Sequence, residues 1–344
     1  LCSATQPALN RFLSTLESRE LYGQTHEAFP TFKRAAIKYI GELDDITLAE
    51  RINAERQVLC VVSTRKQAQT LFSTIEKEGA YHLYTFMVPS HRQAVLAEIR
   101  QRLSENKTCR VISTSLIEAG VDVDFPVVYR SEAGLDSLIQ AAGRCNRNRC
   151  AQLGTVYIPE FLSEKDHPLT SYVYDSRLLS KTRKVLPDHF LEKDSPFLVE
   201  KYYQELQKAV AQKEAWKDIT TGKWGNRHSL ISERIPEALV LIETDGSVAA
   251  LFEEIRGLPT GIESIDKRKK LWNQLQRHAI NAPNGMMQAW IRETSSFFID
   301  EERPIVEEIE NGIYIVRARE KGGVYCPDTG FSAPPSSTEE VGYE

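Results

Sequence analysis

The chain has 344 residues, of which 41% are hydrophobic and 26% charged, and its formal net charge is −5. That length allows two or three domains with real cores, the composition is that of an ordinary globular protein, and an acidic balance excludes a generally basic nucleic-acid coat, so any such contact must come from a local groove. No run of about 18 apolar residues is present, which excludes a helical membrane span.

Taken in chain order, residues 34–40 read as a strand or entry segment and Ile46 to Ile52 as a helix. Val58-Leu59-Cys60-Val61-Val62 is a short Val-rich run, the pattern of a strand buried on both faces of a parallel sheet. Ser63-Thr64-Arg65 follows, then a helix over Lys66 to Lys77, with Ser63 or Thr64 as its cap. Tyr81 to Met87 is a strand candidate and His91 to Leu103 a helix with Val95, Leu96, Ile99 and Leu103 on one face. Arg110–Ser113, Phe125–Tyr129 and Gly154–Ile158 are further strands, and Asp136 to Ala142 a short helix. Strands alternating with helices predict right-handed βαβ units, hence an α/β fold with a parallel sheet. Ligands on such sheets bind at the carboxyl ends of the strands.

Beyond residue 160 the character changes. Tyr172 to Val185 and Pro196 to Lys213 read as helices, Ala238–Ile242 and Gly312–Val316 as strands, and Ser264 to Ala279 as a helix between them, which together make a small α+β domain. Residues 300–310 are an acidic run, and 333–344 read as a loose tail. Trp272 and Trp290 fall in helical patterns and read as core, Trp224 as a loop residue covering the core or stacking on a base, and Lys267–Lys270 as a solvated basic helix face.

Two segments carry candidate chemistry. In Gln140-Ala141-Ala142-Gly143-Arg144-Cys145-Asn146-Arg147 two arginines lie three positions apart, which on a helix would put them on one face. Arginine suits a phosphoryl group because its planar fork donates in pairs and stays charged; a solvated basic helix end reads equally well from these residues alone. Ser113-Thr114-Ser115-Leu116-Ile117-Glu118-Ala119-Gly120-Val121-Asp122 begins at a strand end. There hydroxyls can bind phosphate oxygens, Gly120 permits a tight backbone path and Asp122 could accept from a ribose hydroxyl; an ordinary capped loop is the plain alternative.

Together with Ser3-Ala4-Thr5 at the start and Ser63-Thr64-Arg65 at an earlier strand end, these segments resemble, in order, the signature motifs of superfamily 2 DExD/H-type helicases. The resemblance covers residues 1 to about 160. It implies a RecA-like parallel sheet with flanking helices, followed by a helical linker and a small α+β C-terminal domain. It assigns 1–33 to the end of a first RecA-like domain and its connector, 34–160 to a second RecA-like domain, 161–230 to the linker and 231–344 to an accessory domain. It also implies that Ser3, Thr5, Thr64, Arg65 and Thr114 lie on the nucleic-acid or coupling side. Asp122, Gly120 and Gly143 would lie at ATP, with Gln140, Arg144 and Arg147 catalytic and the arginines acting as fingers.

The wording Glu118-Ala119-Gly120-Val121-Asp122-Val123-Asp124-Phe125 and Gln140-Ala141-Ala142-Gly143-Arg144-Cys145-Asn146-Arg147 is narrower, and resembles the helicase–nuclease of type I CRISPR systems. Ser90-His91-Arg92 and the stretch from Tyr325 to Phe331 are similar to that family as well. The family resemblance implies ATP-driven movement along single-stranded DNA, a metal-dependent nuclease elsewhere in the protein, and the Cascade effector complex with its guide RNA as partner, with no membrane association. Another superfamily 2 half-motor for DNA repair or RNA, or a non-catalytic docking module for the effector complex, are the alternatives.

The sequence contains no Gly-x-x-x-x-Gly-Lys-Thr phosphate loop and no acidic magnesium motif, and its seven histidines are scattered. ATP phosphates and Mg²⁺ are therefore expected to be held by a first RecA-like domain outside this sequence, leaving this chain inactive alone. That fits a chain opening on Leu1-Cys2 without Met or a signal peptide. The six cysteines have no zinc-ribbon or redox spacing and read as the reduced thiols of a cytoplasmic protein.

Overall fold

The computed structural model describes residues 34–118, 120–148, 153–162, 167–209, 236–244, 246–259, 261–294, 304–317, 324–327 and 330–332. Ser3, Thr5, the 1–33 domain end, Trp224 and the 333–344 tail lie outside these residues. By spatial clustering the chain forms two compact units, one drawn from 1–80 and 103–232, the other from 81–102 and 233–344.

The first unit is built on parallel strands. β1 (Ala35–Glu42), β2 (Gln57–Val61), β4 (Cys109–Ser113), β5 (Val127–Arg130), β6 (Gly154–Glu160) and β7 (His189–Leu191) lie in one sheet in the order β4-β2-β5-β6-β1-β7, and β3 (Ala80–Leu83) falls where the chain passes to the second unit. β2 pairs in parallel with β4 and β5, and β6 with β5 and β1. The Val-rich run of β2 is buried throughout, since Val58, Leu59, Cys60 and Val61 are covered from both faces. On one face lie helices α1 (Asp45–Ala54) and α2 (Arg65–Thr74), whose Leu48, Ile52, Ala68 and Leu71 pack onto Val58, Cys60, Val62 and Ile112. Each such fully buried Leu or Ile stabilises the unit by about 1.5–3 kcal/mol. Asp44 caps α1 by accepting from the Thr47 amide at 2.8 Å.

Several expectations are corrected. The strand expected over Tyr81–Met87 stops at Leu83, because Tyr84, Phe86 and Val88 are drawn into the core of the second unit. The segment 161–230, expected as a helical linker, also supplies β7, which pairs antiparallel with β1 through Ile37 and Phe190. The helix expected from Tyr172 starts at Ser176, after a 3₁₀ turn over Leu169–Tyr172, because Asp175 caps it by accepting from the Arg177 amide. This helix, α5 (Ser176–Val185), precedes α6 (Ser195–Ala209).

The second unit has a four-stranded sheet ordered β10-β11-β8-β9, formed by β8 (Glu237–Glu243), β9 (Ala279–Pro283), β10 (Val306–Glu310) and β11 (Ile313–Arg317). Helices α7 (Ser247–Gly257) and α8 (Ile265–Leu275) close one core around Leu241, Val248, Phe252 and Leu275, with Trp272 packed against it. Helix α9 (Asn284–Thr294) and the segment Tyr84–Val88 close another, with Trp290 against it. Lys267 of α8 is exposed and pairs with Glu254 at 2.9 Å, and Lys269 and Lys270 are exposed, a solvated face as expected. The acidic run over 300–310 carried no strand expectation. Its second half is edge strand β10, whose glutamates discourage further strand pairing.

Two widely separated stretches meet in this unit. Helix α3 (Pro89–Ser104) begins beside the hairpin of β12 (Tyr325–Cys326) and β13 (Gly330–Phe331). The Tyr325 hydroxyl accepts from the Val88 amide at 3.1 Å and lies 2.9 Å from His91 Nδ1. The Tyr84 hydroxyl donates to the Phe331 carbonyl, and the Phe331 amide to the Phe86 carbonyl at 3.0 Å.

Buried His82 stacks on Tyr84 with ring centroids 4.7 Å apart, and burial lowers its pKa from 6.5 to about 4. The folded state therefore refuses a proton that the unfolded chain accepts. The stabilisation is complete above pH 6.5 and is lost as pH falls toward 4, at about 1.4 kcal/mol per pH unit. Denaturation curves across this window should show the wild-type slope exceeding that of His82→Leu by this amount; equal slopes would refute the assignment.

Candidate functional site

The carboxyl ends of β2, β4 and β5 stand side by side, because Val61 is in register with both Ser113 and Arg130. Thr64 follows β2 as the N-cap of α2, its Oγ1 accepting from the Gln67 amide at 3.2 Å, and Arg65 opens that helix. Of the two cap candidates, Thr64 thus takes the role. Thr114 follows β4 and is buried; a 3₁₀ turn over Ser115–Ile117 comes next. Gly120 then takes φ +72°, a left-handed conformation that glycine adopts without strain, and the chain turns toward Asp122.

Helix α4 (Leu135–Ala142) follows β5 and ends at Gly143, its C-cap. Gln140 is half-buried on its last turn. Gly143 has an ordinary helical φ of −63°, so the backbone itself does not demand glycine there. The arginines do not share a helix face, contrary to the expectation from their spacing. The helix has ended before them, Cys145 bridges to Phe125, and Asn146 turns the chain at φ +48°. Phe125 donates to the Arg144 carbonyl and accepts from the Asn146 amide, each at 2.9 Å.

This turn nevertheless gathers the two predicted segments. Arg144 donates from Nε to the Ile117 carbonyl at 3.2 Å and from Nη2 to the Glu118 carbonyl at 2.7 Å. Burial, followed by the neighbouring Arg147, lowers its pKa. Arg147 Nη1 lies 2.6 Å from Asp122 Oδ1, with the two side chains 44% and 81% exposed. The Arg147 amide donates to Asp124 Oδ1 at 2.7 Å and the Asn148 amide to Asp124 Oδ2 at 2.8 Å, which pins the backbone beneath the guanidinium. Burial pushes the Cys145 thiol up to about 12, so it packs as a neutral group.

The two arginines are thus differently available. Arg144 has committed two donors to backbone carbonyls that would lose their partners if it moved. An exposed pair such as Arg147–Asp122 contributes only about 0–1 kcal/mol, so Arg147 can exchange its carboxylate for another anion at little cost.

Sequence reasoning missed the charges beneath this surface. Arg130, at the end of β5, is fully buried and its Nε lies 2.8 Å from Glu118 Oε1. Its Nη2 donates to the Tyr174 hydroxyl at 2.6 Å and its Nη1 to the Ser131 carbonyl at 3.1 Å. Arg183 forks onto Glu132 with two bonds of 2.6 Å and also pairs with Glu160. The available signal was a charged residue closing the apolar run Val127-Val128-Tyr129, since an ion in a doubly covered strand needs a partner.

Fold and motif geometry define the class: a RecA-like α/β fold with a mostly parallel sheet flanked by helices, and a small α+β region besides. Residues 54–150 match the model of the C-terminal part of the CRISPR-associated nuclease/helicase Cas3. A Cas3 of Methanothermobacter thermautotrophicus is 29% identical over 161 residues, 44% of this chain and 19% of that protein. A Cas3 of Haloferax volcanii is 53% identical over 55 residues, 16% of this chain and 6% of that protein. Among solved structures, T. fusca Cas3 with ATP superposes with a TM-score of 0.54 at 14% identity, covering 87% of this chain and 41% of that one. A chain of a CRISPR RNA-guided surveillance complex in a pre-nicking state gives 0.54 at 13% identity, covering 87% and 44%. This chain is thus similar to a C-terminal portion of the Cas3 helicase–nucleases, and spans less than half the length of these proteins.

Proposed function

We propose that this chain is the second half of an ATP-dependent motor that moves along single-stranded DNA in CRISPR interference. The observation that carries the reading is the meeting of the two motif segments: Arg147 and Asp122 paired at the surface, with Arg144 fastened to the turn between β4 and Asp122. A half-exposed guanidinium held, among the described residues, by an exposed carboxylate fits a site where a phosphate arrives from another domain. There Arg147 would stabilise charge on the transferred phosphoryl group. Asp122, released from Arg147, would be left to accept from the ribose, and Gly120 and Gly143 would line the approach. Gln140, on the helix turn preceding the arginines, would orient the attacking water.

ATP supplies the phosphoryl group and the free energy of movement, and Mg²⁺ would be held with its phosphates by the first motor half. Thr64, Arg65 and Thr114, at neighbouring strand ends, would face the DNA backbone and couple its movement to hydrolysis, with Ser3 and Thr5 closing the first motor half. Degradation of the DNA would fall to a nuclease domain outside this sequence, and recruitment to a Cascade-type effector complex with its guide RNA. Support for that partner is the shared fold with a chain of such an assembly.

The reading predicts that the 344-residue chain shows no DNA-stimulated ATP hydrolysis alone and gains it when joined to a first motor half carrying the phosphate loop. Turnover by the isolated chain would overturn it.

A further inference from the structure

Glu118 belongs to two arrangements at once. Its carbonyl, with that of Ile117, receives the Arg144 guanidinium, while its carboxylate is buried against Arg130. Arg130 is fixed in turn by the Tyr174 hydroxyl and the Ser131 carbonyl. The Glu118 amide closes the 3₁₀ turn onto the Ser115 carbonyl at 2.9 Å. One residue thereby connects the end of β5, the turn after β4 and the arginine segment after α4. Burial raises the Glu118 carboxyl, while Arg130 and Ser137 oppose that and favour the ionised form.

A buried ion pair is weak support for stability, because desolvation offsets much of the attraction, and apolar replacement is often neutral or stabilising. What such a pair can supply is a fixed geometry, since the planar guanidinium fork matches only certain placements of its partners. Arg130 is the last residue of β5, and its partners Ser131 and Tyr174 lie outside both motif segments, so the turn is referenced to the sheet.

We propose that Glu118 and Arg130 are positioning residues for the arginine pair. They hold the turn over residues 115–118, whose carbonyls seat Arg144, and so set where Arg147 and Asp122 are presented. The catalytic consequence rests on the motor reading above; the positioning itself does not.

The test uses the double variant Glu118→Leu/Arg130→Met, which removes both charges together, and the single variants Glu118→Gln and Arg130→Lys. In the 344-residue chain, solvent exchange of the Arg144 Nε proton is read by NMR. Joined to a first motor half, the same variants are read for kcat and KM of ATP hydrolysis and for melting temperature. The double variant should keep its melting temperature, exchange the Arg144 proton at least tenfold faster, and lose tenfold or more in kcat with KM changed less than threefold. Glu118→Gln, which keeps an acceptor for Arg130, should retain most of the wild-type kcat. Should the double variant not fold, Arg130→Lys decides, because an ammonium cannot reproduce the fork and should accelerate the exchange. Unchanged Arg144 exchange in the deciding variant overturns the proposal. Faster exchange with unchanged kcat upholds the positioning and sinks the motor reading instead.

Discussion

Replacement of Arg147 by alanine, in a protein with both motor halves, is expected to lower the kcat of DNA-stimulated ATP hydrolysis by about 10³-fold or more. ATP affinity should change by less than about threefold, because on the proposed motor reading the arginine acts on charge that develops in the transition state rather than on the bound ground state. The size of the effect follows from the geometry. Arg147 leaves only a weak surface pair with Asp122, so its truncation leaves no buried orphan and little destabilisation. Arg144→Ala should behave differently. It strands the Ile117 and Glu118 carbonyls, so a loss of stability should accompany its loss of rate. Single-turnover hydrolysis, nucleotide binding and melting curves separate the two cases. An Arg147→Ala enzyme with a normal rate would remove the assignment.

Gly330→Ala is expected to destabilise the second unit by about 2–5 kcal/mol, combining about 1–2 for a left-handed backbone with about 1–3 for overpacking. Gly330 has φ +68°, and a Cβ there would sit 2.5 Å from the Tyr84 ring and 2.8 Å from the Phe86 carbonyl, neither of which can give way cheaply. Tyr84 is buried in the core and Phe86 holds the Phe331 amide, so relief of the clash would open the hairpin. Chemical denaturation followed by Trp290 fluorescence would read the change, because its indole Nε1 donates to the Ser332 carbonyl at 2.9 Å beside the same hairpin. A shift under about 0.5 kcal/mol, the range of an ordinary surface substitution, would show that the hairpin is not held as described.

The parallel sheet was legible because its strands are short Val-rich runs bounded by polar strand ends, and β2, β4, β5 and β6 lie within a few residues of where those runs put them. β7 was not, since three residues, His189-Phe190-Leu191, carry too little pattern to separate them from a helix end. β10 hid inside an acidic run because only Val306 and Ile309 point to a strand. At the candidate site, the order of the segments was readable and the structure does bring Asp122 to Arg147 and Arg144 to the turn behind Gly120. The helix-face argument for the arginines failed because Gly143 ends α4 and Asn146 reverses the chain, choices set by the bridge to Phe125. The Glu118–Arg130 pair depends on two strand ends meeting in space, which no local spacing encodes.

The bond between Tyr84 and Phe331 joins residues 247 positions apart in sequence. During synthesis, residues 81–102 leave the ribosome long before their packing partners from 233 onward exist. Until those arrive, Tyr84, Phe86 and Val88 are an apolar segment with no core to enter, a site for chaperones or for aggregation. Loss of the β12–β13 hairpin would therefore be felt at residues 84–88, far upstream in the chain. Nonsense alleles truncating before Tyr325 should behave as misfolding alleles of the whole polypeptide, not as clean deletions of a terminal module.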